Sequence, residues 1–141
     1  MVQLRPITRR GARQHDAQGF GHFGAHRVRP TGPGIHEGID LATDPEEALY
    51  SPLDGSIVRE PKYGQFTGIV IRGSGQWDGY EVKILYARGL KSGDVRCGEL
   101  IGFAENIKVK YGQSITNHIH VEVRLLGAMQ SPHHLFGQLC L

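Results

Sequence analysis

Asn117-His118-Ile119-His120-Val121-Glu122-Val123-Arg124-Leu125 is the stretch on which the reading of the fold turns. A β-strand sends successive side chains to opposite faces. Ile119, Val121, Val123 and Leu125 therefore share one face, and His118, His120, Glu122 and Arg124 share the other. The first face is fit for a core. The second is either an exposed polar surface or a place where one imidazole binds a metal while its neighbour works beside it.

Working outward, the same short-strand pattern recurs. Ala48 to Ser51 is a strand that stops at Pro52, and Gly55 to Arg59 follows an Asp-Gly turn. Thr67 to Arg72 (TGIVIR) and Tyr80 to Ala87 (YEVKILYA) are two further strands, joined by a glycine-containing hairpin that Asp78-Gly79 closes. Leu100 to Phe103 is a short fifth strand. No window carries an apolar stripe at helical spacing, so the chain is mainly β, with few or no helices. This pattern predicts an antiparallel sandwich or an incomplete barrel and does not choose between them. Residues 1 to about 34, rich in Gly, Arg, His and Gln, are expected to form an arm (residues 1–20) and long loops, ahead of one domain over 21–141.

The 141 residues suffice for one domain with a real core, and 20 glycines fit short strands joined by tight turns. A net charge of +2 gives no case for a nucleic-acid partner. No apolar run reaches the roughly 20 residues of a membrane-spanning helix. Cys97 and Cys140 cannot make a disulfide framework and are expected to be free thiols.

A second segment, Gly34-Ile35-His36-Glu37-Gly38-Ile39-Asp40, adds to the histidine strand. If it is extended, His36 and Asp40 share a face, with Gly38 leaving room between them. Glu37 then points the other way. Imidazole nitrogen and carboxylate oxygen are ordinary zinc ligands, and three protein ligands with one open position describe a catalytic zinc site. His36, Asp40 and His120 are the expected ligand set, for one zinc ion per chain.

These residues carry a family resemblance. His36-x-x-x-Asp40, the strand-turn-strand from Ala48 to Val58, the Gly98-x-x-Ile101-Gly102 turn and the closing His118-x-His120 resemble the lysostaphin-type zinc peptidases in order and spacing. Phe23 to Arg27 is similar to the loop before the family's first ligand, and Ser131-Pro132 to the proline after its last core strand. The resemblance spans about residues 20 to 136. It implies an antiparallel sheet floor with zinc held by His36, Asp40 and His120, and His118 as general base. It further implies hydrolysis of peptide crosslinks in bacterial peptidoglycan.

The family has another active-site histidine in a Tyr-x-His-Leu strand end, where this chain has Tyr86-Ala87-Arg88-Gly89-Leu90. Arg88 can replace an electrostatic role, such as stabilising an oxyanion, but not a proton shuttle. Val82 to Tyr86 and the loop from Glu105 to Asn117 also resemble the leukocyte cell-derived chemotaxin 2 family. That protein keeps the zinc site on this fold and acts as a secreted signal. Two readings therefore stand: a peptidoglycan endopeptidase, and an inactive zinc-holding interaction module.

His22, His26, Tyr63 and Trp77 are the expected groove residues. His15, His133 and His134 are expected at the surface. The basic N-terminus is not followed by an apolar signal core. The expectation is synthesis in the cytoplasm and action in the periplasm or wall after signal-independent export. An exported antibacterial effector of this kind would meet a periplasmic immunity protein as partner.

Overall fold

The computed structural model describes residues 7–8, 26–29, 32–35 and 38–130, with 26–29 and 32–35 described by their backbone alone. Among these residues the strands are β1 (His26–Arg29), β2 (Gly32–Ile35), β3 (Ile39–Ala42), β4 (Ala48–Tyr50), β5 (Gly55–Arg59), β6 (Lys62–Tyr63) and β7 (Phe66–Gly73). After them come β8 (Tyr80–Leu85), β9 (Ala87–Gly89), β10 (Gly93–Val95), β11 (Leu100–Ala104), the single-turn helix α1 (Lys108–Tyr111), β12 (His118–Leu125) and β13 (Ala128–Gln130).

The strands form an antiparallel eight-stranded sheet in the order β10-β5-β7-β8-β12-β13, with β3 also on β12 and β6 on β7. A three-stranded sheet, β4-β11-β9, lies apart from it, and β1 and β2 form a separate hairpin. The sheets are antiparallel and do not close into a barrel, as the strand pattern leads one to expect. One core joins the two larger sheets: Ile69, Ile71, Ile84, Ile119, Val121 and Val123 meet Leu49, Ala87, Ile101 and Ala104. The expected inward row of β12 is confirmed at Ile119, Val121 and Val123. These non-polar side chains supply the main drive for the fold, at about 25 cal/mol per Å² buried.

The sequence pattern reads Tyr80 to Ala87 as one strand, but the backbone breaks at Tyr86, which has a φ of 62°. That left-handed conformation is costly for a bulky residue, on the order of 1–3 kcal/mol. It lets the chain leave β8, paired with β7 and β12, and enter β9, paired with β11. Burial of the Tyr86 ring among Phe66, Ile107 and Ile115 offsets the cost.

Two more departures concern the chain's ends and loops. Ile7, in the stretch expected as an arm, is fully buried in the main core, and its carbonyl accepts the Tyr50 N–H at 3.1 Å. One isoleucine among the arginines carries too little pattern to signal this. The loop before β12 is held by Asn117, whose Oδ1 accepts the Ile107 N–H at 2.9 Å and whose Nδ2 donates to Thr43 Oγ1 at 3.1 Å. Cys97 Sγ lies 3.6 Å from the Pro52 carbonyl, while Cys140 lies outside the described residues.

The burial of Ile7 sets a test of the arm. Ile7→Ala should lower stability by about 2–5 kcal/mol, the usual range for emptying a core isoleucine site. Val58→Ala, at a position 42% exposed, should change it far less. Urea unfolding of both variants measures the difference.

Candidate metal centre

β3 and β12 run antiparallel with His120 opposite Asp40 and His118 opposite Ala42. This pairing brings together two residues 80 positions apart: His120 Nδ1 lies 2.9 Å from Asp40 Oδ1. His118 Nε2 lies 3.4 Å from Asp40 Oδ2. Its other nitrogen, Nδ1, lies 2.8 Å from the Thr116 carbonyl. A carbonyl only accepts, so Nδ1 carries a proton, and Nε2 is the nitrogen that faces Asp40. Asp40 and His118 are both buried, at 3% and 5% exposure.

Gly38 makes the close approach possible. A Cβ there would stand 2.3 Å from the Val121 carbonyl oxygen and 3.0 Å from Cε1 and Nε2 of the His120 ring. The room that the sequence assigns to an ion beside Gly38 is occupied by that ring and backbone.

Of the expected zinc ligands, the structure places Asp40 and His120 in contact. His36 lies outside the described residues, as do Glu37 and His22. Among the described residues no three His, Cys, Asp or Glu side chains form a cluster able to hold a metal. The described pair fits zinc in donor chemistry. Its 2.9 Å spacing is a few tenths short of the roughly 3.3 Å between neighbouring ligand atoms in a tetrahedral zinc site. The Asp40 carboxylate is deeply buried and has His120 as a partner at 2.9 Å.

Burial pushes the His120 pKa down, but hydrogen bonds to Asp40 and Glu122 outweigh it and hold the pKa above the ordinary histidine value. Burial likewise raises the Glu122 pKa, and His120 and Lys83 outweigh it, bringing the carboxyl to about 2. Sequence reasoning put Glu122 on the histidine face but gave it no role. Its contact with His120 Nε2, at 3.0 Å, follows from the two-residue strand repeat.

Tyr86 was also missed. Its ring stands edge-on to His118 at 5.6 Å and touches Tyr63, Phe66 and Tyr111 in the same way. Burial and the Tyr111 hydroxyl raise its pKa. Tyr63, an expected groove residue, is thus one ring away from His118 and half exposed. His26 opens β1, where the backbone alone is described.

Two expectations are corrected. Trp77 is buried in the main core, on the turn between β7 and β8. That turn is at the far end of β8 from Leu85, the residue opposite His120, so Trp77 does not line a groove at the metal. Arg88 does not face the centre either. Its guanidinium makes two hydrogen bonds to Glu46, at 2.7 and 3.3 Å, and lies over the Phe103 ring. None of its partners is Asp40, His118 or His120. The three-stranded sheet aims it outward, because Ala87, its neighbour on β9, takes the inward position.

No family model matches the chain. It is 31% identical over 133 residues to a leukocyte cell-derived chemotaxin-2 homolog of Caenorhabditis elegans, covering 85% of this chain. The chain spans 39% of that relative's length. A zinc-containing peptidase from Vibrio cholerae superposes with a TM-score of 0.61 at 22% identity, over 92% of this chain and 40% of that one. The catalytic domain of the antimicrobial peptidase lysostaphin from Staphylococcus simulans gives 0.61 at 20% identity, over 81% and 86%. The fold is therefore that of the lysostaphin-type peptidases, and the chain resembles both these domains and the chemotaxin.

The raised His120 pKa predicts how metal uptake depends on pH. Zinc needs a neutral imidazole and must displace its proton. If the centre takes zinc, the His120 proton alone should lower the apparent affinity by about tenfold per pH unit below the His120 pKa. Chelator competition across the acid-to-neutral range measures this, and a flat profile would remove His120 from the site.

Proposed function

We propose that the chain is a zinc-dependent endopeptidase that hydrolyses peptide crosslinks of bacterial peptidoglycan. The observation that carries this reading is the His118 geometry: Nδ1 lies 2.8 Å from the Thr116 carbonyl, which turns Nε2 toward Asp40 at 3.4 Å. A residue needed only to pack would not require a buried, singly oriented imidazole. The lysostaphin-type fold and the zinc named in one neighbour support the same chemistry.

In this reading His36, Asp40 and His120 hold the ion. Bound there, zinc would supply Lewis acidity and a water of lowered pKa. His118 Nε2 takes up a proton during hydrolysis and returns it to the leaving amine, the usual dual work of a neutral-range imidazole. Asp40 faces the same nitrogen and favours the protonated ring between the two transfers. Half-exposed Tyr63, packed on Tyr86, forms part of the wall beside this base.

Arg88 bears on a second reading, a zinc-holding interaction module without catalysis. It stands where the resemblance calls for a histidine, and it is spent on Glu46. The chemotaxin relative favours the same alternative.

Digestion of purified peptidoglycan by the zinc-loaded chain decides between them, read as released muropeptides. His118→Ala should lower turnover by about 10²–10⁴-fold while zinc content stays near wild type. Arg88→Ala, which breaks an exposed ion pair, should lower it far less. No cleavage by the zinc-loaded wild type would favour the interaction module instead.

The substrate class also sets where the activity harms a cell. We propose that the chain acts in the periplasm or wall as an antibacterial effector, restrained in a producing cell by a periplasmic immunity protein. Expression directed to the periplasm should arrest growth, and His118→Ala should relieve the arrest. Equal tolerance of periplasmic and cytoplasmic wild type would count against a wall-cutting effector.

A further inference from the structure

β12 carries one buried charged side chain that hydrolysis as described leaves unused. Glu122 is buried, at 8% exposure. A carboxylate in such a place is tolerated when its oxygens are engaged, and both are. Oε2 lies 3.0 Å from His120 Nε2. Oε1 lies 3.4 Å from Lys83 Nζ and 3.5 Å from an Arg124 guanidinium nitrogen. Lys83 is the residue directly opposite Glu122 on β8, so strand register fixes this ion pair. The His120 ring thus has a carboxylate at each nitrogen, Asp40 at Nδ1 and Glu122 at Nε2. The backbone at Gly38 closes one side of it, since a Cβ there would be 3.0 Å from Cε1 and Nε2.

We infer that Glu122, anchored by Lys83, is a positioning residue that keeps the proton of His120 on Nε2 and presents Nδ1 to the metal beside Asp40. Either imidazole nitrogen can ligate a metal, and the hydrogen bond made by the other selects which. A carboxylate at the far nitrogen fixes tautomer and ring orientation together and makes the ring a better donor. Glu122 does not serve as the ligand itself, because the Lys83 ammonium on Oε1 would repel a nearby cation. This inference rests on the zinc reading proposed above and adds the residues that orient one of its ligands.

Zinc affinity measured by chelator competition tests it without recourse to activity. Glu122→Ala should weaken zinc binding about 10- to 100-fold, the usual effect of losing such an outer partner. Glu122→Gln keeps an acceptor but loses the charge, and should fall between Glu122→Ala and wild type. Lys83→Met should weaken binding in the same direction and less. Imidazole nitrogen NMR of the zinc-loaded wild type should find Nε2 protonated and Nδ1 bound to metal.

Zinc affinities of both Glu122 variants within twofold of wild type would overturn the inference, as would metal found on Nε2. A Glu122 variant that loses thermal stability but not zinc affinity would likewise show a role in packing alone. Should Glu122→Ala fail to fold, the zinc affinity of Glu122→Gln and the wild-type NMR spectrum still test the role. Wild type that takes up no zinc at all would defeat the peptidase reading and this inference together. Zinc uptake indifferent to Glu122 would defeat this inference only.

Discussion

A buried carboxylate set opposite an imidazole across two antiparallel strands governs the rest of this molecule. Asp40 is almost wholly shielded from water, and its carboxylate is met by His120 at 2.9 Å. Removing one partner of such a pair typically costs about 3–5 kcal/mol, because the survivor stays buried and uncompensated. The pairing of β3 with β12 is therefore constrained twice, by backbone hydrogen bonds and by charge. A one-residue slip would turn His118 and His120 into the core and Ile119 and Val121 out of it.

The surroundings answer to that constraint in different ways. β8 supports β12 from the other side and delivers Lys83 beside Glu122. Gly38 admits the His120 ring. The hinge at Tyr86 passes the chain to the second sheet and leaves an aromatic ring against His118. Backbone strain at a single buried tyrosine thus serves both the architecture and the centre, as strain often does where a functional group must be held.

Much of the fold was legible from alternation alone. Gly55–Arg59 is a strand with the bounds that the sequence suggests, and β7, β11 and β12 differ from expectation by a residue or so at an end. The strands that pattern missed are β1 and β2, four residues each in the stretch expected to be loops, and β6, β9, β10 and β13, two or three residues long, too short for a period of two to register. At the centre, His118, His120 and Asp40 were legible because a strand repeat and a glycine mark them. Arg88 and Trp77 were misplaced for one reason. A residue's position in sequence gives its neighbours along the strand, but the sheet that the strand joins decides which way it points. Tyr86 carries no local signal, since non-glycine residues with positive φ are rare and a tyrosine is an unexpected one.

The separation of Asp40 from His120, 80 residues along the chain, has a meaning for how the protein is made. A ribosome must release β12 before either residue can find the other, and by then most of the eight-stranded sheet has been synthesised. Non-local pairing of this kind forms late, after the entropy of closing a long loop has been met. The centre is consequently a product of completed folding and not a nucleus for it. An ion taken up there would be chosen from the surroundings in which the last long strand docks, so the compartment of folding, as much as the ligands, would select the metal.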